Sequence, residues 1–272
     1  MKDFKEEFGK LLSLVSSDTP FSFTRFSDGE VTILRNEPLV LGDGFLIQGD
    51  IYAGRKIPLP SHAFKEDEER KRFLPEETPF LHKKLVESFT YRKKNYFKGI
   101  PGQNGQDGNS SWRFCLDLYG TGDEDHLTFS NVLINDNYQL FVSEMVPLFQ
   151  DKKIVLISNK NSKFDKLPFT VRKHFSVGPN CMKDDYYLID ACKQWIKENN
   201  VENHLFLFAA ASLSNLLCYE LYKDFGKNQY MDIGSSLGPH LQLEGWKAMR
   251  TYLKTYWSNP QNPALQEVDL WS

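Results

Sequence analysis

In its second half the chain alternates short apolar runs with helical patterns. Strands are expected over Ile154 to Ser158, Leu205 to Ala210 and Tyr230 to Ile233, and helices over Asp184 to Asn199, Leu213 to Asp224 and Leu243 to Tyr256, with a loop after the first strand. Strands separated in this way run parallel and are joined by right-handed crossovers, because each helix must pack back onto the sheet. The expected class is therefore α/β: a mostly parallel Rossmann-like sheet flanked by helices. Such sheets bind ligands outside the carboxyl ends of their strands, so the residues that follow each strand are where chemistry is sought.

The first half is less regular. Phe4, Phe8, Leu11, Leu12 and Val15 recur at helical spacing, and a strand is expected over Phe21 to Phe26. Leu39 to Pro60 is rich in Gly and Asp with short β-like pieces, and two charged helical patterns follow, the second being Phe80 to Lys94. Asn95 to Ser111 opens like a strand and becomes Gly/Asn-rich, and a polar loop of that length points to mobility or function. Trp112 to Tyr119 is ordered, Gly120 to Asp125 is a turn, Thr128 to Leu133 reads as a strand, and Asn137 to Phe149 as a helix with Tyr138, Phe141, Val142, Met145 and Leu148 inward. One α/β domain is expected over 1–257, with 39–125 as an irregular or inserted region and 258–272 as a tail.

With 272 residues, 14% of them aromatic, the chain can fill a large core. A formal charge of -3 and a pI near 6.1 leave no basic surplus to displace counterions, which argues against nucleic acid as a partner. Cys115, Cys181, Cys192 and Cys218 show neither C-x-x-C nor Cys/His spacing, so free thiols in a reducing compartment are expected. The N-terminus mixes charges where a signal peptide is apolar, and no run approaches the roughly 20 apolar residues of a membrane span. These features predict a cytoplasmic protein without a transmembrane segment, with peripheral membrane contact left open.

The segment Arg25, Phe26, Ser27, Asp28, Gly29, Glu30 lies where the first strand pattern runs into a helical one. It supports two readings. Ser27 and Glu30 form an S-x-x-E capping box; alternatively, Asp28 and Glu30 share a divalent cation. Arg25, charged on a half-buried strand, suits bidentate phosphate recognition or an ordinary ion pair. Asn159 and Lys160 follow one late strand, and Ser212, Ser214 and Asn215 open the helix after another, where they either bind phosphate or cap the helix. In Met231 to Leu241, Asp232 is a candidate general base, second metal ligand or ribose-hydroxyl acceptor, or a turn aspartate bonded to nearby backbone. His240 follows it as a binding or surface residue. A glycine fingerprint for NAD or FAD, a Gly-x-Ser-x-Gly elbow and a Cys/His pair are all absent.

Taken together these pieces resemble the GT-D-fold family of glycosyltransferases. That family has an Arg-Phe-Gly-Asp-Gly-Glu segment, matched by Arg25 to Glu30, and a tyrosine-aromatic-Gly-Ile-Pro piece, resembled by Tyr96, Phe97, Lys98, Gly99, Ile100 and Pro101. Late in the chain Ala211 to Asn215, Cys218 to Leu221 and Asp232 to Gly234 resemble its small-residue strand end, its helix core and its Asp-Ile-Gly triplet. Ser27 stands where glycine is usual, Ser235 replaces a histidine, and Ser212, Leu213 and Ser214 replace a Gly-Pro-Thr-like turn.

The resemblance implies a nucleotide-diphosphate sugar as donor, a divalent metal (Mn²⁺ or Mg²⁺) at Asp28 and Glu30, and a glycan or glycoconjugate hydroxyl as acceptor. Arg25, Ser27, Gly29, Asn159, Lys160, Ser212, Ser214, Asn215 and His240 are the expected donor-binding residues; Asp28, Glu30 and Asp232 are the expected catalytic ones. The loop Gly102 to Ser111 is expected to close over the donor. A metal-dependent phosphoester hydrolase and a non-catalytic nucleotide-binding module are the alternatives built on the same carboxylates.

Overall fold

A computed structural model describes residues 2–49, 54–59, 64–103, 109–120 and 124–258. Residues 104–108 of the expected closing loop, 121–123 of the expected turn and 259–272 of the expected tail lie outside the described residues.

Eleven strands are named in chain order: β1 Phe21–Arg25, β2 Leu39–Gly42, β3 Phe45–Gln48, β4 Ile57–Pro58, β5 Lys71–Phe73, β6 Tyr96–Ile100, β7 Leu127–Phe129, β8 Ile154–Asn159, β9 Val171–Val177, β10 Leu205–Phe208 and β11 Gln229–Asp232. Seven form the main sheet, in the order β7-β6-β1-β11-β10-β8-β9. Every neighbouring pair in it is parallel. The expected α/β architecture is the observed one.

Period-two alternation divides the core between the two faces of this sheet. Phe21, Phe23, Ile154, Leu156, Leu205, Leu207 and Met231 pack on one side with Phe8, Leu11 and Val15 of α1 (Phe4–Ser16) and with Tyr138, Phe141 and Phe149. Val155, Ile157, Phe206, Phe208 and Tyr230 face the other way, onto α2 (Asp28–Leu34), α3 (Pro79–Thr90) and the helices Leu188–Glu198 and Leu213–Asp224. The start of α1 is set by Asp3, whose carboxylate accepts from the Lys5 and Glu6 N–H groups at 2.9 and 3.0 Å.

Several local expectations change. Residues 39–125 hold a small antiparallel sheet, in the order β4-β3-β2-β5, and also β6, which pairs with β1 inside the main sheet. The Asp43–Gly44 pair has positive φ at both residues and closes the β2–β3 hairpin, the turn geometry that follows strand twist best. The first charged pattern is not a helix; it ends in β5, where Lys71 is half-buried and Arg72, on the other face, is exposed. The stretch read as a loop after β8 contains β9, an edge strand whose polar, half-exposed residues hide its β character. Only Leu127–Phe129 is strand in the Thr128 to Leu133 region. Asn137 to Phe149 winds through a π turn at Phe141–Met145 just before Pro147, which lacks the N–H that an α-turn needs there. The last expected helix breaks into Trp246–Met249 and Thr251–Ser258 at Arg250.

Gly99 of β6 has a steric reason: a Cβ there would stand 2.8 Å from Phe129 O and Ser130 Cα. That close approach lets the chain turn across the end of β6 and deliver Ser130 and Asn131 to the sheet's carboxyl edge. For the core itself, Leu156 is fully buried, and Leu156→Ala is expected to cost about 2–5 kcal/mol. Urea unfolding checks it: the midpoint should fall at unchanged slope.

Candidate active site at the carboxyl edge of the sheet

Each strand of the main sheet ends at one edge, and the residues just beyond them enclose a cleft of about 570 Å³. Its lining takes Arg25 at the end of β1 and Ser27 to Glu30 after it, Pro101 after β6, Ser130 and Asn131 after β7, Asn159 from β8, Ala209 to Ala211 after β10, and Asp232 with Gly234 and Ser235 at and after the end of β11. The small sheet adds Leu39, Leu41, Leu46, Gln48 and Lys71; the C-terminal segment adds Trp246, Arg250 and Tyr252. The chain leaves β1 in one direction along the sheet to β6 and β7, and reaches β11 from the other. The cleft therefore lies at the switch point, where open α/β sheets hold their ligands.

Asp28 and Glu30 begin α2 side by side but do different work. The Asp28 side chain is open to the cleft. Burial among surrounding protein atoms opposes its charge, but Lys71, the facing Gln48 amide and the Arg250 charge prevail and hold the carboxyl below its usual range. Glu30 is buried: one oxygen accepts from the Ser27 N–H at 3.1 Å, the glutamate half of the capping box, and the other accepts from the Ser212 hydroxyl at 2.6 Å. The bond to Ser212 ties the turn after β1 to the turn after β10. Capping and cleft lining coexist in one residue.

Asp232 closes the floor. Its carboxylate accepts from the Arg25 N–H at 3.2 Å and the Gly234 N–H at 3.0 Å. Burial, opposed by the Arg25 charge and assisted by Glu30, pushes its pKa up to about 7. The Asp-Ile-Gly triplet thereby acquires a physical reading. Gly234 has φ +51, and a Cβ there would meet the Arg25 guanidinium at 2.0 Å, so glycine leaves the space this side chain fills. The guanidinium in turn donates from Nε to Ser130 O. Ala211 also carries a positive φ, +43, a strained value for a residue with Cβ, at the turn from β10 into the helix Leu213–Asp224.

Arg25, Ser27, Asp28, Gly29, Glu30, Asn159 and Asp232 thus meet in the cleft. The other expected residues do not line it. Ser214 accepts from Ala210 N, Asn215 donates to Arg25 O at 2.7 Å and Ser212 donates to Glu30, so these three brace the strand ends from below instead of facing a ligand. Lys160 points to solvent. His240 lies away from the cleft with its ring against Trp257, and burial lowers its pKa. Asn159 donates to the carbonyls of Asp67 and Glu68, which pins the loop that leads into β5.

Among the polar residues of the cleft that the sequence did not single out are Lys71, Glu69, Arg250 and Gln48. Lys71 and Glu69 were hidden in the charged pattern that turns out to be β5 and its approach, and Arg250 in an expected continuous helix. Gln48, 4% exposed, faces Asp28 with a side-chain nitrogen that has no hydrogen-bond partner among the described residues. For Lys71, burial works against the charge, but Glu69, Glu30 and Asp28 hold it above its ordinary value. For Glu69 the balance is the mirror image: Lys71 and Arg250 overcome burial and hold it low. Among the described residues no three His, Cys, Asp or Glu side chains converge on one point as a ready-made metal cage.

No protein-family model and no curated protein matches the chain. Solved structures do. A selenomethionine-substituted structure of domain of unknown function 1792 superposes with TM-score 0.53 at 11% identity, covering 89% of this chain and 80% of the other. A new glycosyltransferase of the same domain class from Streptococcus sanguinis gives 0.50 at 16%, covering 86% and 81%. A third, in which the highly conserved domain 1792 is described as having a distinct glycosyltransferase fold, gives 0.50 at 12%, covering 89% and 80%. The chain has this glycosyltransferase fold. It is the GT-D architecture expected from the resemblance. At such identities the likeness concerns the fold alone, and the GT-D cleft of this chain must be read from its own residues.

The ionisation of Asp232 has a measurable consequence. A carboxyl whose folded pKa lies above its unfolded value near 3.8 contributes stability that is complete below that value and is lost as pH rises through about 7. Asp28 and Glu69, held low, act in the opposite sense, contributing above their ordinary values and losing that contribution as pH falls. Asp232→Asn should therefore gain stability relative to wild type as pH is raised from 5 to 8, measured as the difference in urea midpoints. Parallel curves would show that Asp232 is an ordinary carboxylate.

Proposed function

We propose that the protein transfers a sugar from a nucleotide-diphosphate sugar to a hydroxyl of a glycan or glycoconjugate. The observation that carries this reading is the pairing, in one cleft of a glycosyltransferase fold, of an ionised acid open to the cleft (Asp28) with a buried acid poised near neutrality (Asp232). The two environments push the carboxyls apart, as acid–base assignments require. Asp232 is then the base that accepts the acceptor hydroxyl's proton, and a pKa near the working pH suits that task.

The charge balance of the cleft supports a divalent cation, Mn²⁺ or Mg²⁺, shared with a phosphate-bearing substrate. Three basic side chains, Arg25, Lys71 and Arg250, face five acidic ones, Asp28, Glu30, Glu68, Glu69 and Asp232, so a diphosphate entering alone would add negative charge to an acidic surplus. Asp28, with Glu30 beside it, would hold the cation, and the charge it supplies offsets that of the departing diphosphate. The chain's own part is orientation. The Ser212–Glu30 bond fixes the α2 terminus, and the Arg25–Asp232 contact fixes the base. The cytoplasmic assignment belongs to the same proposal; among the described residues no helix is long and apolar enough to cross a membrane.

Titration with a panel of nucleotide sugars, with and without Mn²⁺ or Mg²⁺, followed by product analysis, tests the reading. Transfer to an acceptor supports it; free sugar or phosphate as the sole product would mean hydrolysis, and binding without turnover a sensing module. Glu30→Gln should remove metal-stimulated turnover at a stability cost of about 1 kcal/mol, because one of its two acceptor positions survives. The rate should rise with pH to a plateau with an apparent pKa near 7, and Asp232→Asn should abolish that limb together with most of kcat.

A further inference from the structure

Two cations of the cleft come from outside the main sheet. Lys71 stands on β5 of the small sheet, and Arg250 at the break between the two C-terminal helices. They converge on one carboxylate oxygen, Glu69 Oε1, at 3.3 Å from Lys71 Nζ and 3.7 Å from Arg250 Nη2. All three side chains remain partly open to the cleft, 22%, 33% and 27% exposed. These separations are longer than a charge-assisted hydrogen bond of about 2.7–2.9 Å. The neighbouring Arg72–Glu77 pair closes to 2.6 Å, so the local backbone does not forbid tight pairing. Glu69 is thus a counter-ion held between two cations without fitting either closely.

Further contacts set the orientation of this pair. Arg250 Nε donates toward the Ser235 hydroxyl at 3.3 Å, which ties it to the segment after β11, and Lys71 Nζ stands 3.6 Å from the place a Cβ on Gly29 would occupy, over the start of α2. Both cations act on Asp28 and on Glu30 as well as on Glu69. An anion whose oxygens spread over two phosphorus atoms can approach both more closely than the single Glu69 oxygen does. A planar guanidinium beside a compact ammonium is a pairing suited to such a group.

We infer that Lys71 and Arg250 form the subsite for the donor's diphosphate, and that Glu69 is the anion a phosphate group replaces there. The inference rests on the proposed sugar transfer for the identity of the ligand, but not for the existence of the anion site. Inorganic pyrophosphate, a stand-in for the diphosphate group that every candidate donor carries, is the probe, titrated calorimetrically at fixed Mg²⁺ and ionic strength into protein whose fold is checked by circular dichroism.

Lys71→Met and Arg250→Met are each expected to weaken pyrophosphate binding about tenfold, the loss of one hydrogen bond to a charged group. Lys71→Arg should retain it within a few-fold. Glu69→Gln should tighten it, an outcome that a purely structural ion-pair role does not predict, and one that keeps the test decisive if the methionine variants fold poorly. Wild-type protein that does not bind pyrophosphate, methionine variants that bind it like wild type, or weakened binding in Glu69→Gln would overturn the inference. Turnover of a nucleotide sugar with indifferent pyrophosphate titrations would sink the subsite and leave the proposed function standing. The expected titrations without turnover of any nucleotide sugar would do the reverse.

Discussion

The hydrogen bond from the Arg25 N–H to the Asp232 carboxylate joins the ends of two adjacent parallel strands, and the arrangement of the cleft follows from it. Because β1 and β11 end side by side, Asp232 is enclosed by the backbone of its neighbour and loses water without gaining a full counter-charge. Asn215 completes the clamp by donating to Arg25 O, and Gly234 completes it by leaving room for the guanidinium. The raised pKa of Asp232 is therefore a property of strand register, not of a single neighbouring charge. A shift of register by one residue would turn both side chains to the opposite face of the sheet.

The second tie is the Glu30–Ser212 hydrogen bond, which spans from the turn after β1 to the turn after β10. A buried glutamate with both oxygens bonded is rigid, and Asp28, two residues earlier in the same helix, inherits that rigidity. Fixed groups of this kind need not reorganise when charge develops near them. The capping box and the acidic motif, which compete as readings of one hexapeptide, are physically one device. The cap holds the helix start so that its neighbour can face the cleft.

Much of this was legible in the chain. The β8 and β10 runs announce themselves because strands buried on both faces are largely apolar, and seven of the expected site residues gather because parallel strands must deliver their ends to one edge. What was not legible has physical causes. Edge strand β9 needs only one apolar flank, so Arg172, Lys173 and His174 mask it. Strand β5 has three residues, too few for a period to show, and its Lys71 is drawn into the cleft by carboxylates some forty residues away in sequence. Ser212, Ser214 and Asn215 look like ligand-binding residues from composition alone. Whether a polar side chain at a helix start points up into a cleft or down onto a strand end depends on what lies beneath it, and here that is Glu30 and the Arg25 carbonyl.

The small antiparallel sheet gives the architecture its asymmetry. The strand ends of the main sheet supply Arg25, Asp28, Glu30 and Asp232; Glu68 and Glu69 come from the loop that leads into the small sheet's β5, Lys71 from β5 itself, and Arg250 from the C-terminal segment. The loop entering β5 is fastened to β8 by Asn159, and the Glu68 carboxylate accepts from the N–H groups of Glu244 and Gly245, so the two peripheral segments are tied to each other as well as to the sheet. A charge placed on either segment is then positioned almost as well as one on a strand. That coupling explains why a loop rich in charge can be part of the site. Its side chains are costly to bury singly, but Glu69 between Lys71 and Arg250, with Asp28 opposite, lets each satisfy the others while the group as a whole stays open to the cleft.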